Sequence, residues 1–169
     1  QAFKHELMSK KGDENIHQLH EDLAEILVRD CTVVRHNEAL EKAIEGIKKI
    51  RERYKNIKLD DTSNELNQTF ILANQFKAML EIALVIAKGA LLRDESRGGH
   101  FKPEFPERDD AHFLKHTIAS FEPSQDEPTI IFRDVDARYF PIAKRDYTKK
   151  VTLESIDLSK LPQHLPSYV

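Results

Sequence analysis

His17 and His20 stand one helical turn apart, with Glu21 directly after them. On a helix, that spacing points two imidazoles the same way, which is how a zinc or two-metal site begins. His112 and His116 repeat the one-turn spacing. Neither pair is joined by a matching third and fourth ligand, and the HExxH pattern is absent. All four are therefore read as surface histidines, and no metal site is expected. Arg97 and His100 have the chemistry of an anion site. They follow a long helical pattern, however, and the C-terminal end of a helix dipole repels anions. Arg97 is expected instead to bond helix-end carbonyls or a neighbouring domain. No Ser-His-Asp spacing occurs, and no GxGxxG loop that would cradle a dinucleotide. The lone Cys31 excludes an internal disulfide framework and any Cys-rich metal or iron–sulfur site within the chain. It favours a reducing compartment.

A formal charge of −3 argues against nucleic-acid binding, which needs a basic excess. The 169 residues are expected to form one domain, or one domain with a tail. No uninterrupted run of about 18 apolar residues occurs, so no membrane span is read. No apolar signal core is present at the N-terminus. The first residue, Gln1, suggests a fragment or a processed chain.

The elements that would position these residues are mostly helical. Residues 1–13 read as a linker or frayed helix. Residues 14–97 read as an antiparallel three-helix bundle, spectrin-repeat-like, in an otherwise all-α fold. Ile16, Leu19, Leu23, Ile26, Leu27 and Val34 recur at steps that place them on one face of the first helix. Asp13 or Asn15 can cap it, and Cys31 lies near the face as a small core thiol. Asn37 is the expected cap of the second helix, whose stripe is Leu40, Ile44, Ile47, Ile50, Tyr54 and Ile57. Its other side, with Lys48, Lys49, Arg51, Arg53 and Lys55, reads as solvated. The third helix is expected from Ser63 to about Asp94, roughly 45 Å at a rise of ~1.5 Å per residue. Its apolar girth is wide, from Leu66 through Ile71, Ile82 and Ile86 to Leu91, so it should be the spine.

Residues 98–169 read as a hinge and an extended docking arm. Gly98-Gly99 should stop the third helix with left-handed backbone angles. Pro103 and Pro106 should hold the following chain extended. A short helix is expected from Ala111 to about Ser120, capped by Asp109 or Asp110, and a short strand over Thr129–Val135. Pro141, Lys144-Arg145-Asp146-Tyr147, Pro162 and Pro166 continue the arm, which needs a partner surface to order itself.

The hinge sequence carries a resemblance. Glu95-Ser96-Arg97-Gly98-Gly99-His100, then Phe105-Pro106-Glu107-Arg108-Asp109-Asp110, then Leu114-Lys115-His116-Thr117 resemble the C-terminal region of succinate dehydrogenase and fumarate reductase flavoprotein subunits. That family usually has alanine where Gly99 stands. Val33-Val34-Arg35, Ile50-Arg51-Glu52-Arg53-Tyr54 and Leu59-Asp60-Asp61-Thr62-Ser63 match the same subunits in order. Pro141 with Lys144-Arg145-Asp146-Tyr147 resembles the bacterial branch that pairs with a single di-haem cytochrome b subunit. The resemblance covers roughly residues 14–150. L-aspartate oxidase shares the hinge motif but has a different tail.

The resemblance implies a parent enzyme that interconverts succinate and fumarate on a covalently attached FAD. It also implies that flavin-binding and catalytic residues lie in upstream domains. No catalytic, cofactor-binding or metal residue is therefore assigned here. The implied partners are the flavin domain of the same chain, the iron–sulfur subunit and, indirectly, the membrane cytochrome b subunit. The implied location is cytoplasmic, peripheral to the inner face of the cell membrane. Arg97, His100, Arg108 and Asp109 are the implied docking residues. By itself the chain is expected to expose apolar surface and to dimerise or fold its arm onto a neighbour. The competing expectations are a stand-alone helical adapter and an L-aspartate oxidase-like C-terminal domain.

Overall fold

After the first, each helix begins where a polar side chain can take up a free amide. In this computed structural model, which describes residues 2–122, 124–138, 142 and 143, helix α1 spans Ala2–Met8 and α2 spans Ile16–Asp30. The Asn15 carbonyl oxygen accepts from the His17 and Gln18 amides at 2.8 and 3.3 Å, so of the two expected caps it is Asn15 that serves. Helix α3 spans Asn37–Tyr54. Asn37 is its first helical residue, not its cap. The Glu104 carboxylate, from the far hinge, accepts from the Asn37 amide at 3.2 Å and caps α3 in its place. Ile57 lies past the end of α3, yet it is buried, paired with Glu14 in a bridge at the entry to α2.

Helix α4 spans Gln68–Leu91, starting later than its apolar pattern suggested. The Asn67 side chain accepts from the Phe70 amide at 2.7 Å and donates to the Asp61 and Ser63 carbonyls. Those bonds keep residues 61–67 in a loop. Leu66 consequently stands at φ 51° and is 97% exposed, not part of the apolar face.

Helix α3 packs on both α2 and α4, α2 also meets α4, and α1 packs on α4. Leu19, Leu23, Leu40, Ile47, Phe76, Leu80 and Leu84 fill the space between them. The span expected as a linker or frayed helix holds α1, and its Leu7 is buried. Tyr54 reaches from α3 to donate its hydroxyl to the Ala73 carbonyl at 2.7 Å, and its ring tilts against Phe76 at 5.8 Å.

Averaged over an 18-residue window, α4 reaches a mean hydropathy of 1.6, long and apolar enough to cross a membrane by length and composition. The lack of an unbroken apolar run understated this. Only a third of that window is buried within the chain. Ile71, Ile82 and Ile86 remain exposed, on positions that share one side of the helix.

The expectation of an all-α fold is corrected by a two-stranded sheet. Strands β1 (Lys115–Ser120) and β2 (Thr129–Asp134) pair with each other. The helix expected from Ala111 to Ser120 is only one turn, α5, spanning Asp110–Phe113. Asp109 caps it by accepting from the His112 amide at 3.1 Å. Thr117 and Ile118 are β-branched, and β2 offers β1 a ladder that outweighs a weak local helix. The loop after β1 returns to the helices. Glu127 bridges Lys48 and Lys88, and Arg51 donates to the Asp126 carbonyl at 2.7 Å. Lys48 and Arg51 are therefore partly covered, where a solvated face was expected.

By its contacts the chain divides into two units, Gln1–Arg133 and Asp134–Val169. Within the second, Arg138 pairs with Asp136 at 2.7 Å. The arm motifs at Pro141, Lys144 to Tyr147, Pro162 and Pro166 lie outside the described residues.

Candidate functional site

The charged stretch after α4 is two tight turns, not a glycine stop followed by an extended chain. Helix α4 already ends at Leu91, ahead of the glycines. Arg97 and His100 exchange both backbone hydrogen bonds, at 2.8 and 3.0 Å, around Gly98-Gly99. Gly98 takes φ 61°, which a side chain would disfavour. The second turn closes with the Phe105 amide on the Lys102 carbonyl at 2.9 Å. Pro103 sits at the corner, where its fixed φ suits the turn. Ser96 links the two turns: its hydroxyl accepts from the Lys102 amide at 3.0 Å and donates to the Phe105 carbonyl at 2.8 Å.

At the centre is Glu95, with a side chain that is 0% exposed. Its carboxylate accepts from Arg93 Nη1 at 2.6 Å, Arg97 Nε at 2.8 Å, Arg97 Nη2 at 2.9 Å and the Asp109 amide at 2.9 Å. Burial alone would push this carboxyl up. The bonds from Arg97, the Asp109 amide and Arg93 outweigh it and hold it below the usual carboxylate range. A buried charge is tolerable only with such full satisfaction. Arg93 also donates to the Phe113 and Lys115 carbonyls, both at 2.8 Å, and its guanidinium lies 5.5 and 5.3 Å from the Phe113 and Phe132 rings. This one side chain ties the end of α4 to α5, β1 and β2.

Lys102 is the second buried charge, also 0% exposed. Its ammonium donates to the Leu91 carbonyl at the end of α4 and to Asp94 Oδ1, both at 2.9 Å. It therefore supplies the helix-end capping expected of Arg97.

The four expected docking residues fall within this framework. Arg97 holds Glu95 and donates to Asp110 at 2.7 Å. Arg108 meets the other Asp110 oxygen at 2.6 Å. Asp109 caps α5 and meets His112 Nδ1 at 2.7 Å. His100 faces the opposite way, toward the α2–α3 turn, where Arg35 Nη1 lies 2.7 Å from its Nδ1. Beside it the Arg35 amide donates to the Phe101 carbonyl at 2.9 Å and the Phe101 amide to the Val33 carbonyl at 3.1 Å. Val33, Val34, Phe101 and Phe105 keep apolar surface exposed on these segments.

Among the described residues no group of three or more His, Cys, Asp or Glu side chains gathers in a metal-holding arrangement. His17 and His116 are exposed, and His20 packs toward the Phe76 ring at 6.2 Å. His112 is occupied by Asp109. Cys31 is buried at the end of α2, which pushes its thiol up.

Sequence reasoning had overlooked Glu95, Lys102, Arg35 and Arg93 as structural centres. Glu95 had a signal, an arginine two residues away on either side. Lys102 had none.

Residues 20–147 match the family model described as fumarate reductase flavoprotein C-term. This chain belongs to that family. It is the C-terminal domain of a succinate dehydrogenase/fumarate reductase flavoprotein subunit. It is 42% identical over 145 residues to the succinate dehydrogenase flavoprotein subunit of Bacillus subtilis, covering 86% of this chain and 25% of that one. It is 35% identical over 153 residues to the fumarate reductase flavoprotein subunit of Helicobacter pylori, covering 89% and 21%. A mutant E. coli quinol fumarate reductase FrdA superposes with a TM-score of 0.82 at 28% identity, over 89% of this chain and 26% of that one. The flavoprotein C-terminal domain described here thus spans about a quarter or less of the relatives it matches.

Proposed function

We propose that this domain braces the flavin domain of its parent subunit and helps seat an iron–sulfur partner, with no active site of its own. The parent would interconvert succinate and fumarate on FAD held outside these residues. Helices α2, α3 and α4 would act as an antiparallel three-helix bundle that keeps the hinge rigid. The docking surface would be the hinge. Arg97, His100, Arg108 and Asp109 would frame it, and Val33, Val34, Phe101 and Phe105 would supply apolar contact. The membrane cytochrome b subunit would be reached only through the iron–sulfur partner, on the cytoplasmic side of the cell membrane.

One observation carries this reading. The hinge charges are satisfied within the domain, while large apolar side chains beside them stay exposed. A rigid, apolar, polar-rimmed surface is what an interface needs.

The test is a Phe101→Asp, Phe105→Asp double variant in the whole parent subunit, co-expressed with its iron–sulfur subunit. The expected result is loss of the partner or of bound flavin, with the melting of the domain alone little changed. Full retention of both would overturn the docking surface. Stoichiometric flavin absorbance, or succinate-dependent dye reduction, from the domain alone would overturn the brace.

A further inference from the structure

His100 uses both ring nitrogens. Nε2 lies 2.9 Å from the Arg93 carbonyl, which can only accept, so Nε2 carries the proton. Nδ1 lies 2.7 Å from Arg35 Nη1, which can only donate, so Nδ1 offers its lone pair. The ring is thus fixed as the neutral Nε2–H tautomer. Arg35 has no carboxylate among the partners of its guanidinium: Nε and Nη2 both donate to the Cys31 carbonyl, at 3.2 and 3.1 Å. The groups facing His100 are cationic from each side: Arg35 from the α2–α3 turn, Arg93 from the end of α4, and Lys102 from the next turn. Asp94 is nearby but is held by Lys102 and by the Asn37 amide group at 3.2 Å.

We propose that His100 is an acid-sensitive latch: a proton on Nδ1 meets the Arg35 donors, breaks that bond and releases the Arg97–Phe105 turns from Val33–Arg35. The proton comes from solvent, Nδ1–H is the one covalent bond formed, and the backbone hydrogen bonds of Phe101 to Val33 and Arg35 open with the turns. The freed hairpin carries Phe101 away from Val34.

Burial, and then the neighbouring Arg35, Lys102 and Arg93 charges, push the imidazole below its ordinary value, outweighing the bond to the Arg93 carbonyl. The sign follows. Once released, His100 regains its ordinary affinity for protons, so the open form binds more of them. The latch is closed above about pH 6.5 and weakens as pH falls toward the depressed value of the closed form. No carboxylate is among the described groups that shift the ring.

The test is amide hydrogen exchange on the whole chain between about pH 7 and about pH 4.5, the span in which histidines titrate. Protection of the Arg35 and Phe101 amides is compared with that of Ile47 and Leu84 in the core. The latch amides should lose up to about tenfold in protection relative to the core for each pH unit that separates the closed and open histidine. His100→Gln keeps an acceptor and a donor but does not titrate, so it should abolish the step. A step that persists in His100→Gln, or its absence from the wild type, would overturn the latch. Should the variant not fold, the wild-type imidazole nitrogen shifts decide. Protonation of His100 accompanied by loss of Phe101 protection supports the latch, and protonation with protection unchanged overturns it.

Discussion

Lys88 and Glu127 meet at 2.7 Å although 39 residues separate them, and the other Glu127 oxygen takes Lys48. One carboxylate from the loop after β1 thus joins α3 to α4. The pairing with Lys48 and then Lys88 holds Glu127 down at about 2. A carboxylate depressed in the folded chain stabilises it above the ordinary value and loses that contribution as pH falls through the folded value. Denaturant midpoints measured from pH 6 down to about pH 2 should therefore fall with a component that Glu127→Gln removes. The energy is modest, because the side chain is a third exposed and screened by solvent.

Glu95→Gln should be far more damaging. It would leave Arg93 and Arg97 buried beside an amide that can satisfy only part of the same geometry. Breaking a buried ion pair from one side costs about 3–5 kcal/mol. Urea unfolding should show a loss of that order.

The two hinge glycines should respond in opposite ways to alanine. Gly98 has φ 61°, so Gly98→Ala should destabilise by about 1 kcal/mol through backbone strain. Gly99 has no positive φ, and nothing lies within 4 Å of where its Cβ would be. Gly99→Ala should stabilise by about 0.4–1 kcal/mol, by restricting the unfolded chain. Thermal melts of the two variants side by side would check this.

Phe76→Ala and Ile82→Ala should separate the two sides of α4. Phe76 is fully buried, and its loss should cost about 3–5 kcal/mol in chemical unfolding. Ile82 is 58% exposed, and its loss should stay within about 0.5 kcal/mol.

The stripes of α2 and α3 were legible because helical periodicity is local. Leu19, Leu23, Leu40, Ile47 and Ile50 are buried as their spacing implied. The start of α4 was not, because Asn67 wins its cap by gripping the Asp61 and Ser63 carbonyls, and propensity says nothing of that. Strand β2 shows in Ile130-Ile131-Phe132, but β1 exists only because β2 is beside it. At the hinge Pro103, expected to keep the chain extended, sits at the corner of a turn instead, while the left-handed angle of Gly98 was visible. The partner was not: His100 meets Arg35 across 65 residues, a separation no local pattern encodes. The burial of Glu95 and Lys102 was not legible, because charged side chains are seldom buried. Their burial depends on Arg93, Arg97, Asp94 and the end of α4 converging on them.

The sealed ammonium of Lys102 has a practical consequence. While the two turns stay folded against α4, that amine is hidden from acylating reagents. Any event that pries the segment loose converts it into an accessible nucleophile. Mass-spectrometric counting of acetyl groups on the Lys102 peptide would therefore clock how often this region opens, without a probe being attached.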